Sequence, residues 1–325
     1  MTASTEPSTV PRAPQNRAPD FFIVGHPKSG TTALYEMLRR RAEIHMPVKE
    51  PWFFAPDRLP QASVGYPDTL EDYLSLFESA GAEQLVDKAS PSYLMSSVAT
   101  NSIAALQPNA RIIAILRKPA TFLRSLHLQS VRDHVETEKD LRKALALEAS
   151  RRQGNAIPRY SARPMELLYS EHVRYVEQLR RYFAVFPPEH VLVLIYEDFR
   201  GDNEATVRKV LRFLEVDDTS PIEVVEANPT VRVRSPRLYK LVRSLYLGRG
   251  LASRSAKSAI KALTPQKLRH ATHVAVQGRM LWGKPRPPDE DVMLELRRRF
   301  KGEVVALSEY LDRDLVSLWG YDDIA

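Results

Sequence analysis

The chain has 325 residues, 47 Lys and Arg against 40 Asp and Glu, a formal net charge of +7, and no cysteine. Disulfides and thiolate metal sites are thereby excluded, and no apolar run approaches the roughly 18 residues of a membrane-spanning helix. The length suits one large α/β domain, or one domain with an appendage, and the N-terminus lacks the apolar core of a signal peptide, which predicts a cytoplasmic protein.

Residues 1–19, rich in Pro, Ser, Thr and Ala, predict a disordered leader, and 20–325 a single domain. Phe21, Phe22, Ile23 and Val24 form an apolar run that stops at Gly25, the pattern of a buried strand ended by a turn. Ala33, Leu34, Met37 and Leu38 then recur at helical spacing, and Arg39, Arg40 and Arg41 follow where a helix C-terminus favours positive charge. A strand, a glycine turn and a helix in that order make an anion cradle, because backbone N–H groups and the positive helix end converge on one point. Gly25 and Gly30 keep the spacing of a nucleoside-triphosphatase loop, but Thr31 stands where that loop needs its lysine, and the lysine lies inside the turn as Lys28.

PKSGTT in this setting resembles the 5′-phosphosulfate loop of sulfotransferases that use 3′-phosphoadenosine-5′-phosphosulfate (PAPS). The resemblance implies donor binding by Pro27, Lys28, Ser29, Gly30, Thr31 and Thr32, with Lys28 at the bridging oxygen. Pro47 and Pro51 next bracket Lys49 and Glu50, so this pair sits on a loop, where it reads either as a solvated ion pair or as a positioned base. KEPWFF is similar to the K-E-x-x-F-F sequence of a sulfotransferase branch that includes bacterial and heparan sulfate enzymes, matching at Lys49, Glu50, Phe53 and Phe54. That similarity implies Glu50 as general base toward an acceptor hydroxyl, with Lys49, Trp52 and Phe53 beside the acceptor; some relatives carry His where Trp52 stands.

Tyr73, Leu74, Leu76 and Phe77 suggest a short helix, and Gln84 to Asp87 a short strand. DKASPSYL resembles the family's GExSPSYL segment at Ser90, Pro91, Ser92 and Tyr93, with Lys88 in place of the usual acid, either a second cation near the sulfuryl group or a surface charge. Ser90 and Lys88 are thus counted with the acceptor side. Ile112 to Leu116 form a second buried strand with Arg117 at its end, and Pro119 opens a helix. Ligands of an open parallel sheet bind outside the carboxyl ends of its strands, so Arg117 and the first loop can address one nucleotide. The family resemblance implies Arg117 and Ser125 as the 3′-phosphate site. His127 reads as a helix-packing or acceptor-contact residue, and the histidines show no metal-ligand spacing.

From Leu141 to Phe186 the pattern is helical, including the amphipathic run LLYSEHVRYVEQLRRYF. VLVLIYEDF predicts a third buried strand, EATVRKVLRFLEV a helix, and Glu197 and Asp198 structural roles. Residues 229–287 hold 14 Lys and Arg and no acid, which leaves 33 basic against 40 acidic residues elsewhere. Such a block implies an anionic partner. Its Leu238, Leu241, Val242, Leu245 and Tyr246 share a helical face, either at an anionic membrane surface, where the protein would be peripheral, or simply packed on the domain. Residues 288–320 predict one long amphipathic helix ending in an aromatic anchor.

The reading is an α/β fold: a P-loop-like central parallel sheet flanked by helices, with a basic helical C-terminal segment. The implied activity is PAPS-dependent sulfation, without a metal, of a small-molecule, carbohydrate or lipid hydroxyl. Two alternatives stand beside it: a P-loop nucleotide kinase or NTPase, and an anionic-membrane or nucleic-acid binding protein using the basic segment. No recognised reading motif accompanies the charge, which disfavours nucleic acid.

Overall fold

The computed structural model describes residues 17–47, 50–58, 66–87, 89–133, 135–159, 161, 163–225, 232–233, 282–283 and 287–324. Lys49, Lys88, the leader up to residue 16 and nearly all of the basic 229–287 segment lie outside these residues.

The first half comprises β1 (Phe21–Gly25), α1 (Thr31–Leu38), β2 (Ile44–His45), α2 (Leu70–Ser75), β3 (Leu85–Val86), α3 (Ala99–Leu106), β4 (Arg111–Leu116) and α4 (Pro119–Arg132). The second comprises α5 (Leu141–Ala146), α6 (Glu148–Arg152), α7 (Tyr175–Phe183), β5 (Val191–Ile195), α8 (Tyr196–Gly201), α9 (Asn203–Phe213), β6 (Arg232–Val233), β7 (Trp282–Gly283), α10 (Glu290–Tyr310) and α11 (Leu315–Trp319).

β4 lies between β1 and β5, all parallel, with Gly25 opposite Ile115 and Leu116 opposite Ile195. The carboxyl ends of the three strands are therefore level, and the loops that follow them share one edge, where ligands of parallel sheets bind. β2 and β3 form a parallel pair that extends the sheet beyond β1, joined by the Phe21–Asp87 bridge and the Asp20 N–H to Val86 carbonyl bond of 2.8 Å. Alternation along the strands divides the core: Phe22, Val24, Ile112, Ala114 and Leu116 enter one apolar cluster with residues of α4, α7 and α10, and Phe21, Ile23, Ile113 and Ile115 enter another with α1 and α9. A sheet covered on both faces needs apolar residues at every strand position, which is why these strands read as unbroken hydrophobic runs. Gly25, at φ 144°, sits so close to β4 that a Cβ there would come within 2.8 Å of the Ile115 carbonyl oxygen.

Three elements end earlier than expected. The third strand stops at Ile195, and Tyr196 to Phe199 begin α8 instead. The amphipathic run expected as one helix through residue 183 is a short 3-10 turn, Tyr169–Val173, followed by α7, with Arg174 at φ −84°, ψ 59° between them. Side chains take the backbone donors at this break: Glu148 accepts from Ser170 N–H at 2.6 Å and Glu303 from Val176 N–H at 2.8 Å, so the i−4 carbonyls are not required. The C-terminal helix likewise ends at Tyr310, and α11 starts afresh after Asp314, whose carboxylate caps it by accepting from Ser317 N–H at 2.9 Å. Trp319 on α11 donates to Glu197 at 2.9 Å, and Glu197 also accepts from Lys118 N–H at 3.3 Å, so the chain's last helix braces the end of β4. No described helix is long and apolar enough to cross a membrane.

Candidate active site

The loop from His26 to Gly30 joins β1 to α1. Lys28 (φ 67°) and Gly30 (φ 89°) are left-handed, which turns the chain sharply into the helix. α1 has no side-chain cap and no acid in its first turn, and its first backbone bond runs from Leu34 N–H to the Gly30 carbonyl at 3.1 Å. The N–H groups ahead of Leu34 thus have no intrahelical acceptor, and the positive helix end is unshielded, as an anion site requires. A Cβ on Gly30 would lie 3.0 Å from Phe199 and 3.1 Å from Tyr196, so α8 closes the back of the cradle. Ser29 and Thr31 are buried, while Pro27, Lys28 and Thr32 keep part of their surface. The Ser29 Oγ is a buried polar atom without a partner among the described residues. An uncapped helix start, a glycine where no side chain fits and an unsatisfied hydroxyl suit a phosphate group.

Arg117 leaves the end of β4 and donates from Nη1 to the Lys28 carbonyl at 2.6 Å and from Nε to Thr121 Oγ1 at 3.3 Å. Its guanidinium also lies 4.5 Å from the centre of the Tyr196 ring. Burial lowers its pKa, opposed by Tyr196 and Glu197. Two strand ends are thereby tied at one place. Ser125 is buried on α4.

Glu50 (φ 62°) and Trp52 (φ 59°) are both left-handed non-glycine residues, a local strain on the order of 1–3 kcal/mol each. The surrounding contacts hold it. Glu50 N–H donates to the Ala89 carbonyl at 2.8 Å, Phe54 meets Phe22 and Tyr93 edge-on with ring centres 5.7 Å apart, and Phe53 stacks on Tyr73 at 4.8 Å. Phe53, expected beside the acceptor, is therefore a core anchor of the loop.

Glu50, Trp52 and Pro27 line one side of a partly open cleft. Leu126, Gln129, Ser130 and Asp133 face them from α4 and its end, Pro91 and Ser92 from the turn after β3, and Arg163 and Glu166 from a 3-10 segment. Arg163 pairs with Glu166 at 3.0 Å and sits 5.7 Å from the centre of the Trp52 ring. Burial pushes the Glu166 carboxyl up to about 7; Arg163 opposes the rise, and Asp133 and Glu50 add to it. Asp133 itself pairs with Arg132 at 2.8 Å.

Other expected residues lie elsewhere. Ser90 is buried against β1, its N–H on the Ile23 carbonyl at 3.1 Å, and its neighbours Pro91 and Ser92 reach the cleft instead. His127 is buried, with Nε2 2.9 Å from the Glu138 carbonyl; it packs α4 rather than lining the cleft, and burial lowers its pKa. Gln129, Asp133, Arg163 and Glu166 were missed as site residues. The i, i+4, i+7 spacing of Leu126, Ser130 and Asp133 marks one face of α4, but nothing local to Arg163 and Glu166 says that they meet Trp52.

A buried layer supports the Glu166 wall. Arg151 and Glu136 pair at 2.8 Å with side chains 1% and 0% exposed, Tyr169 donates to Glu136 at 3.1 Å, and Arg151 donates to the Leu167 carbonyl at 3.4 Å. Two histidines lie beneath both sides. His26 in the first loop bonds Gln178 at 2.9 Å, and His172 bonds the Glu166 carbonyl at 3.2 Å. Gln178 Nε2 donates to the Glu171 carbonyl, so its oxygen faces His26, whose Nε2 therefore carries the proton. Among the described residues, no group of three or more His, Asp or Glu is arranged to hold a metal ion.

A family model described as the sulfotransferase family matches residues 19–220. Heparan sulfate glucosamine 3-O-sulfotransferase 6 from Homo sapiens is 28% identical over 203 residues, 62% of this chain and 53% of that protein. Carbohydrate sulfotransferase 15 from Homo sapiens is 28% identical over 272 residues, 67% of this chain and 48% of that protein. The chain spans about half the length of these curated relatives. The crystal structure of a sulfotransferase from Alicyclobacillus acidocaldarius superposes with a TM-score of 0.65 at 24% identity, over 93% of this chain and 99% of that one, and so shares the fold.

Proposed function

The chain belongs to the sulfotransferase family, and from that premise we propose that it moves a sulfuryl group from PAPS to a hydroxyl of a carbohydrate or small-molecule acceptor. The observation that carries this reading is the meeting of three elements: Arg117 bonds the backbone of Lys28, and Pro27, next to Lys28, shares one cleft with Glu50. The uncapped start of α1, with Ser29, Gly30, Thr31 and Thr32, would hold the 5′-phosphate. Arg117 and Ser125 would hold the 3′-phosphate.

In the proposed reaction the acceptor oxygen forms a bond to sulfur as the bond from sulfur to the 5′-phosphate oxygen breaks. Glu50 accepts the acceptor's proton, and Lys28 stabilises the negative charge that gathers on the departing 3′,5′-diphosphoadenosine. The remaining work is alignment, which the strained Glu50 loop and its aromatic anchors supply. A saccharide acceptor is suggested by the two human relatives, a heparan sulfate glucosamine sulfotransferase and a carbohydrate sulfotransferase. The kinase alternative lacks a lysine at Thr31, and the family match favours sulfuryl transfer over it.

Calorimetric titration with 3′,5′-diphosphoadenosine, AMP and ATP tests the donor site before any acceptor is known. The diphosphate should bind more tightly than AMP, and Arg117→Ala should weaken it by about tenfold to a hundredfold while changing AMP little. Equal losses for both nucleotides would remove the 3′-phosphate assignment, and Mg²⁺-dependent ATP hydrolysis would revive the kinase reading.

A further inference from the structure

The cleft holds an ionisable side chain that the proposed reaction leaves without a task. Glu166 enters from the 3-10 segment Pro164–Leu167 and lines the same space as Glu50, with further walls from Pro27 of the first loop and from Gln129 and Ser130 of α4. Arg163 fixes its carboxyl at 3.0 Å, and the same guanidinium lies over Trp52, two residues from Glu50. Glu50, Trp52, Arg163 and Glu166 thus form a continuous rim that holds the two carboxyl groups in a set relation.

We infer that Glu166 binds the acceptor, receiving a second hydrogen-bond donor of that molecule, a hydroxyl or better an ammonium group, and turning away an acceptor with sulfate or carboxylate at that place. The inference rests on the reading of this cleft as the acceptor site of a sulfotransferase.

The groups that face Glu166 are Arg163, Asp133 and Glu50, with Arg132 paired to Asp133 and His172 on the Glu166 backbone carbonyl. Burial, Asp133 and Glu50 all oppose ionisation of its carboxyl, and Arg163 does not outweigh them, so the carboxyl rests at about 7. The local field already resists one more negative charge. A sulfate or carboxylate there would meet the same repulsion without an arginine of its own among the described lining residues, because Arg163 is engaged by Glu166. An ammonium group would instead complete the ionisation of Glu166 and form a charge-assisted hydrogen bond shielded from water.

Three six-carbon polyols that differ at one terminus serve as probes: glucamine (ammonium), glucitol (hydroxyl) and gluconate (carboxylate). Their binding to the full chain in the presence of 3′,5′-diphosphoadenosine is read by ligand-observed NMR. Glucamine should bind about tenfold more tightly than gluconate, with glucitol between them, and Glu166→Gln, which leaves Asp133 and Glu50 in place, should narrow the spread. A gluconate affinity equal to or above that of glucamine, no binding by any probe, or a spread unchanged in Glu166→Gln would overturn the inference. Should that variant fail to fold, the wild type still decides: the preference for glucamine should widen as pH rises through about 7 and Glu166 ionises, and a flat profile overturns the assignment. Binding of 3′,5′-diphosphoadenosine in the same samples separates the two levels. Its loss from the wild type sinks the sulfotransferase reading, whereas its retention with a flat probe order sinks only the role of Glu166.

Discussion

The loop proposed to cradle the donor and the cleft that adjoins it at Pro27 are built by different means. The proposed donor side is mainly backbone, one loop of consecutive residues and the start of α1, held by one side chain, a guanidinium that bonds the loop's own carbonyl. The cleft, the proposed acceptor side, is lined by side chains from four separated segments, namely Glu50 and Trp52, Ser92, Gln129 to Asp133, and Arg163 with Glu166. A phosphate cradle asks the same of any chain, a glycine, a turn and a helix start, and so can be written locally. Recognition of a particular hydroxyl asks for charges and shapes set by the tertiary fold, and is free to vary around a fixed cradle.

Glu50 stands where the two sides meet, and its removal is the sharpest test of their separation. Glu50→Gln keeps the shape of the side chain but cannot take the acceptor's proton. Turnover should fall by roughly 10²–10⁴-fold, while the affinity for 3′,5′-diphosphoadenosine, a property of the other side, stays within error. A parallel fall in nucleotide affinity would show that the division between the sides is false.

The buried pair behind the acceptor wall gives the next largest effect. Arg151→Met leaves Glu136 as an uncompensated charge in a position closed to water, which costs about 3–5 kcal/mol in global stability by urea unfolding. The double variant Arg151→Met, Glu136→Leu should recover part of that loss, because both desolvated charges are then gone while the Tyr169 hydroxyl and the N–H groups of Thr137 and Glu138 lose their acceptor. The wall, not the cradle, should feel the single change. Arg151 also donates to the Leu167 carbonyl, next to Glu166, whereas no contact described above ties it to the β1–α1 loop. If nucleotide binding at a temperature where the variant is folded falls as far as acceptor turnover does, the two sides are mechanically one.

What could be read from residue order follows the same division. β1, the turn through Lys28 and Gly30, and α1 are contiguous, and their period changes from an unbroken apolar run to helical spacing within a dozen residues. β4 with Arg117 at its end is equally local. The two-residue strand β2 carries no periodicity, and it exists because Leu85 N–H and Asp87 N–H find the carbonyls of Glu43 and His45. The break at Arg174 escaped for a related reason: the amphipathic pattern is real, but Glu148 and Glu303, distant in the chain, take over the backbone donors. Arg163 and Glu166 form a common i, i+3 pair on a short turn, and only the fold brings Trp52 over them. Charge partners of this kind leave no trace in spacing.

The smallest effect tests where the sides are joined. His26 belongs to the β1–α1 loop and His172 lies behind Glu166, their ring centres are 6.1 Å apart, and both are buried. Burial lowers the pKa of each, for His172 from 6.5 to about 3, and each ring keeps an Nδ1 without a partner among the described residues. Well above pH 6.5 both rings are neutral in the folded and unfolded chain, so they add no pH dependence there. As pH falls from 6.5 toward 3 the unfolded chain takes up protons that the folded chain refuses, and stability is lost progressively. One pH unit below 6.5 the loss attributable to His172 is about 1 kcal/mol. Urea midpoints measured across this range should show the acid slope, and His172→Gln, which can still donate to the Glu166 carbonyl, should make it shallower. Because one ring underlies the cradle and the other the wall, nucleotide affinity and acceptor turnover should decline together in acid, in contrast to the separation expected of Glu50→Gln. A wild-type acid slope that His172→Gln leaves untouched would show that this histidine is not the source of the acid sensitivity.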